Sequence, residues 1–236
     1  RLDQASDIDS YLKLHDAVQS FTLDALWPHS LRGLTIADIG CAGGSFLDQV
    51  AGMAKQLVAV DPARMYHGDL RQRGYAVFSD ATAAAKDFVG KVDLAVSSQV
   101  IEHVADPRSF LANIATLLAP GGRLLVSTPN RNDIMMELLP DDFPAFFYRT
   151  VHRWYFDAAS LASCARAAGL EPVATRHIHR YPMANALHWL RDRRPRGHDV
   201  MAPLDATTDG FWKGWLEATG RADCLYMSFV RAPNVG

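Results

Sequence analysis

The sequence predicts an α/β fold of the doubly wound kind, a mostly parallel sheet with helices on both faces. Three observations predict it. Short apolar runs alternate with longer amphipathic stretches from residue 34 onward. The first of these runs breaks into a glycine-rich turn, and the next ends in an acid about 20 residues beyond the first glycine of that turn.

Taken in order, residues 7–27 place Ile8, Leu12, Val18, Leu23 and Leu26 at roughly helical spacing, and Pro28 stops the pattern. A helical lead-in over 1–32 follows from this. The runs LTIADIG, QLVAVDP, YAVFSD, VDLAVSSQV and GRLLVSTP read as buried strands. Between them, FLDQVAGMA, ARMYHGDLRQRG, ATAAAKDFVG and PRSFLANIATLLAP read as helices, completing a core over 33–130. Asp106 and Pro107 cap the last of these helices, and Pro120-Gly121-Gly122 is expected to end it. Residues 157–169 repeat the design, with Asp157 as cap and Gly169 as stop before a strand in LEPVATRHIHRYP. The stretch 131–156 is set apart as a lid. Within 157–236, a helical insertion at about 183–220 precedes a last strand, CLYMSFVRAP.

Bulk properties fit one domain over residues 1–236, with 49% hydrophobic and 21% charged residues. The formal charge of −2 provides no global field for nucleic acid or an anionic membrane. Cys41, Cys164 and Cys224 are odd in number and far apart, which speaks against a disulfide framework or a zinc cluster and makes a reducing, cytoplasmic setting the default. No apolar run is long enough to span a bilayer, and the opening RLDQASDIDSYL is charged rather than signal-like; it begins at Arg1 without Met, which leaves room for an upstream segment.

The sharpest motif is TIADIGCAGGSF, a strand ending at Asp38 that runs through Gly40, Gly43 and Gly44 into a helix. Glycines here permit positive φ and let a ligand approach the main chain beyond the strand ends. Asp61, at the tip of the next strand, is placed to hold both hydroxyls of a ribose. A nicotinamide dinucleotide would suit the same layout, but its GxGxxG fingerprint requires glycines where this chain has Ala42 and Ser45.

The turn resembles motif I of the class I methyltransferases, DIGCGxG, with Asp38 and Gly44 matching and Ala42 replacing the middle glycine. The resemblance extends over roughly residues 34–175, and SSQVIEHVADP with GGRLLVSTPNRN narrows it toward the ubiquinone-biosynthesis O-methyltransferases and their small-molecule relatives. It implies a Rossmann-like, seven-stranded sheet with CLYMSFV inserted antiparallel beside VATRHI, and S-adenosyl-L-methionine (AdoMet) as cofactor. By the same resemblance, Asp38 and the turn Gly40, Cys41, Ala42 and Gly44 face the methionine part. Asp61 and Pro62 would serve the ribose, Asp80 and Ala81 the adenine, and Ser98 and Gln99 the sulfonium. Strand-end capping is the ordinary structural role for Asp38, Asp61 and Asp80.

Methyl transfer from a sulfonium is an in-line displacement, so alignment does much of the work and a hydroxyl acceptor also benefits from a base. His103, after the fourth strand, is the candidate base with Glu102 beside it; the alternatives are a turn-capping histidine and an acid that holds a helix start. In the related quinone and small-RNA ribose methyltransferases the pattern ExxEH supplies metal ligands. Here it reads Gln99, Val100, Ile101, Glu102, His103, with His152 in VHRWYF resembling a later ligand. Losing one carboxylate favours metal-free chemistry, with Glu102, His103 and His152 kept as the alternative metal set.

On the acceptor side, Arg131, Phe147, Tyr148, His152 and Trp154 are the candidate contacts for a small-molecule acceptor, with Phe143, Phe146 and Tyr155 nearby. Arg131, Arg149 and Arg153 are either anion contacts or surface residues. The basic stretch with Arg176, Arg180, Arg191, Arg193, Arg194 and Arg196 is either a solvated face or a contact for RNA, a nucleotide-sugar diphosphate or an acidic partner. Trp189, Phe211, Trp212 and Trp215 fit a homodimer interface or a substrate cover. The expected activity is O-methylation of a small molecule. The alternatives are N- or C-methylation, metal-assisted RNA ribose methylation, which the near-neutral charge disfavours, and an inactive AdoMet-binding protein.

Overall fold

The computed structural model describes residues 8–231. The side chains of Ile8 and Leu12, and the end of the CLYMSFVRAP run, lie outside the described residues. Seven strands form one sheet: β1 (Thr35–Ile39), β2 (Gln56–Val60), β3 (Ala76–Phe78), β4 (Val92–Ser98), β5 (Leu118–Pro129), β6 (Leu170–Ile178) and β7 (Cys224–Arg231). Their order is β3-β2-β1-β4-β5-β7-β6. The first five pair in parallel, while β7 runs antiparallel to both β5 and β6. This is the doubly wound sheet that the β-α alternation predicts, with its order reversing between β1 and β4, where such sheets bind ligands.

Helix α1 (Ile8–Leu26) leads in, and α2 (Ser45–Val50), α3 (His67–Gln72), α4 (Ala81–Phe88) and α5 (Pro107–Leu117) connect the parallel strands. Successive residues of β1 point to opposite faces, so Ala37 and Ile39 join the core beneath α4 and α5, while Ile36 joins Phe46, Leu47 and Leu70 on the other face. Helix α8 (Ala158–Ala167) starts from a reciprocal capping box between Asp157 and Ser160. Two short helices, α6 (Met135–Leu138) and α7 (Phe143–Phe147), shape the lid, and α9 (Met183–Asp192) and α10 (Ala206–Ala218) form the insertion before β7. Lid and insertion share a third apolar cluster that includes Ile134, Phe143, Phe147, Trp189 and Leu216.

One expectation is corrected. Helix α5 ends at Leu117, ahead of Pro120-Gly121-Gly122, because Leu118 is already extended and pairs with Val92. The Pro-Gly-Gly segment instead lies inside β5, where the register shifts between Val92 and Leu94. Gly121 has φ +77°, and a Cβ on Gly122 would lie 2.7 Å from the Val92 carbonyl oxygen. It is a bulge that glycine permits.

Candidate active site

The cofactor side is built from main-chain turns at the tips of β1, β2 and β4. Gly40 leaves β1 at φ +82°, and a Cβ there would meet the Val100 side chain at 2.4 Å. The glycine is required by that close approach. Ala42 adopts φ 43°, a left-handed conformation that costs an alanine about 1 kcal/mol or more. What holds it is Asp61: one carboxylate oxygen accepts the Ala42 amide at 2.8 Å and the other accepts the Ala63 amide at 2.7 Å. The second strand's acid thus fixes the first strand's turn. Each oxygen keeps a lone pair for a further donor such as a hydroxyl.

Asp38 sits at the carboxyl end of β1, only 6% exposed. Burial, and then the charge of Asp61, pushes its carboxyl up to about 7. A buried acid in that condition gains from a cationic group placed beside it. An ammonium for Asp38 and a diol for Asp61 are the groups that AdoMet carries, so these side chains fit the cofactor the resemblance implies.

The other cofactor candidates fall around this turn with differing engagements. Cys41 is buried among Phe46 and Leu47, and Pro62 is exposed at the β2 tip. Asp80 caps α4 by accepting the Ala83 amide at 2.8 Å and the Ser79 hydroxyl, and these bonds hold its pKa below the usual range. The Ala81 methyl packs in the core. Ser98 lies within 3.3 Å of the Thr22 hydroxyl on α1, while Asp16 of α1 accepts the Ser45 hydroxyl at 2.6 Å. The N-terminal helix therefore lies along the cofactor side, a placement that periodicity alone could not provide. Gln99, at φ 57°, turns its amide toward Ser127 and Cys224, each at 3.3 Å, and so borders both halves of the site.

Beyond Gln99 opens a cavity of about 370 Å³. Glu102, His103 and His152 form one side, Phe143, Phe146, Phe147 and Trp189 wall it, and Arg180 and Asp223 close it from the β6 and β7 ends. Glu102 is 1% exposed, accepts the Thr128 hydroxyl at 3.1 Å, and has its pKa raised by burial. His103 donates through Nδ1 to the Val151 carbonyl at 2.9 Å, and its Nε2 lies 3.9 Å from Glu102 Oε1. The His152 ring stands edge-on to that of His103, with centroids 4.8 Å apart. Burial, then His103 and Arg149, lowers its pKa to about 4, and its Nδ1 is buried without a hydrogen-bond partner. Ligand atoms of Glu102, His103 and His152 all lie within 4.8 Å of one another.

Of the acceptor candidates, Phe147 and His152 line the cavity. Arg131, Tyr148 and Trp154 stand outside its wall. The Arg131 amide is tied to the Phe156 carbonyl, Trp154 donates its indole N–H to the Val104 carbonyl at 2.9 Å, and Tyr148 lies exposed against Phe147 and Tyr155. His179, Asp223, Asp133 and Asn185 line the cavity and were not anticipated. The one available signal was position: His179 follows the apolar β6 and Asp223 precedes β7, both at strand tips.

With this geometry in view, the comparisons with known proteins are direct. A family described as a methyltransferase domain matches residues 13–175. The chain belongs to this family. Among curated relatives of this methyltransferase, the ubiquinone biosynthesis O-methyltransferase of Cereibacter sphaeroides (strain KD131 / KCTC 12085) is 31% identical over 166 residues, covering 65% of this chain and 66% of the relative. That of Ruegeria pomeroyi is 33% identical over 162 residues, covering 60% and 61%. The methyltransferase thus spans just under two thirds of the length of these relatives. Its fold is that of a SAM-dependent methyltransferase from Archaeoglobus fulgidus, with TM-score 0.60, 15% identity and coverage of 92% and 93%. Magnesium protoporphyrin IX methyltransferase from Synechocystis, solved with S-adenosylhomocysteine, shares it at TM-score 0.53, with 14% identity and coverage of 94% and 84%. The chain is thus a member of the methyltransferase domain family, and its sheet has the fold of SAM-dependent methyltransferases. The [4+2]-cyclase SpnF has the same fold at TM-score 0.57, with 20% identity and coverage of 92% and 81%, so the fold alone does not name a reaction.

Proposed function

We propose that the protein methylates a hydroxyl of a small acceptor bound in the cavity beyond Gln99, with His103 accepting the hydroxyl proton. Bound AdoMet supplies an electrophilic methyl group. Asp38, the turn of Gly40, Cys41, Ala42 and Gly44, Asp61 and Pro62, Asp80 with Ala81, and Ser98 with Gln99 would hold it.

The observation that carries the reading is the tautomer of His103. Because Nδ1 donates to the Val151 carbonyl, the neutral ring keeps its lone pair on Nε2, and the residue lines the cavity. Glu102 Oε1 lies 3.9 Å from Nε2, on the same side of the cavity. Phe143, Phe147 and Trp189 exclude water and orient a flat apolar body. The O-methyltransferase names of the relatives support a hydroxyl as the atom methylated.

A second reading is favoured by one observation: Glu102, His103 and the unpartnered His152 bring three ligand atoms within 4.8 Å. A divalent ion there would lower the acceptor hydroxyl's pKa in place of a base. Gln99 stands where the metal-binding pattern has a carboxylate, which limits the charge on offer.

The test is turnover with methyl-deuterated AdoMet against phenols, alcohols and amines, with products located by mass spectrometry and each reaction run with EDTA or Mg²⁺. Label on oxygen, unaffected by EDTA, is the expected result. Label on nitrogen alone overturns the hydroxyl reading, and activity lost with EDTA and restored by Mg²⁺ selects the metal.

A further inference from the structure

The cavity holds a cation whose hydrogen-bonding edge no described residue uses. Arg180 is clamped on one edge only: its Nε donates to Asp223 Oδ2 at 2.6 Å, and its backbone amide donates to Asp223 Oδ1 at 2.8 Å. Asp223 is itself buried, so the pair is fixed and Asp223 holds the guanidinium firmly protonated. Among the described residues neither Nη group donates to any partner, yet the side chain remains 24% exposed and lines the cavity.

Glu102 and Asp133 lie near enough to feel the charge of Arg180, but among the described residues neither accepts a hydrogen bond from that edge. Both Asp223 oxygens are taken by Arg180 itself. Asp133 accepts the Met135 amide at 2.9 Å, and burial pushes its carboxyl up to about 7. Glu102 accepts the Thr128 hydroxyl. No ion pair joins Arg180 to Asp133 or Glu102 among the described residues. The neighbouring His179 accepts the Asp223 amide through Nδ1 at 3.2 Å, and burial holds it neutral with a pKa of about 4. A planar pair of donors facing a half-enclosed space matches the two oxygens of a carboxylate or phosphate.

We propose that Arg180 is an acceptor-specificity residue: the cavity takes an acceptor that bears an oxyanion, a carboxylate or phosphate, gripped by the Nη edge of Arg180 while its aromatic or apolar body packs on Phe143, Phe147 and Trp189. This rests on the cavity being the acceptor site, as proposed above.

The test is calorimetric titration of the S-adenosylhomocysteine-loaded protein with benzoate, phenyl phosphate and the uncharged isostere benzamide, on wild type, Arg180→Met and Arg149→Met. At least one anion is expected to bind wild type about tenfold or more tighter than benzamide, as a charge-assisted contact in a sheltered site provides. The preferred anion identifies carboxylate or phosphate. Arg180→Met should abolish the preference and Arg149→Met should keep it. Equal binding of the three compounds to wild type, no binding of either anion, or loss of the preference in Arg149→Met but not in Arg180→Met overturns the assignment. The wild-type comparison stands even if Arg180→Met fails to fold. S-adenosylhomocysteine affinity, measured separately, keeps the two readings apart: its absence breaks the methyl-transfer reading, whereas its presence without anion preference breaks only the role of Arg180.

Discussion

The cofactor half and the acceptor half of this molecule are built by different means. The cofactor half is a run of strand tips in which main-chain turns do most of the positioning, and its two acids belong to adjacent strands only 23 residues apart in sequence. The acceptor half draws one cavity wall from the loop after β4, the lid, the turn after β6, helix α9 and the approach to β7. Its working contacts join residues far apart in the chain, such as Arg180 and Asp223 or His103 and Val151. A site made of local turns carries its signature in spacing; a site made of side chains from five segments does not. The two halves should also fail separately when mutated.

The largest separation is expected from His103→Ala. Turnover should fall about 10²-fold or more while S-adenosylhomocysteine affinity stays within about twofold, because the lost group acts on the acceptor proton. Turnover unchanged in steady-state assays would remove His103 from the chemistry and make the halves less distinct.

Asp61→Ala should act on the other half, weakening cofactor binding by roughly 2 kcal/mol, or about 30-fold, as charge-assisted contacts vanish. Because Asp61 also holds the Ala42 and Ala63 amides, the turn itself loosens. Calorimetry that found the affinity intact would move the ribose contact elsewhere.

A smaller effect sharpens the comparison through pH. The Asp38 carboxyl is raised from an ordinary 3.8 to about 7 in the folded protein, so its ionised form is the costly one there. Its contribution to stability therefore declines as pH rises from about 4 to 7. A bound ammonium needs the carboxylate, so S-adenosylhomocysteine affinity should be full above about pH 7 and fall below it by at most about tenfold per unit. Asp38→Asn should flatten that slope. A wild-type affinity independent of pH between 5 and 8 would place the amino group away from Asp38.

Much of the cofactor half was legible. Asp38, Gly40 and Asp61 stand where the motif puts them, since a parallel sheet fixes which residues end its strands. Asp80 illustrates the boundary: the sequence marks it as a strand-tip acid, and the structure occupies it with the Ala83 amide as a helix cap. On the acceptor side, aromatic content pointed to the lid but could not sort its members. Phe147 faces inward because it packs with Trp189 in the third apolar cluster, while Trp154 is turned outward by its bond to the Val104 carbonyl.

The antiparallel β7 was implied by the family resemblance, but the sequence by itself determined the doubly wound sheet, the glycine turn and the paired acids. These follow from the alternation of apolar runs with helical stretches, capping chemistry and the tolerance of positive φ, each legible in short stretches of chain. Only the tertiary structure decided that His103 turns Nδ1 to the Val151 carbonyl, that His152 joins Glu102, and that Asp223 holds Arg180 at the cavity wall. Those relations depend on which distant segments pack together, and packing is a property of the whole core rather than of any stretch of chain.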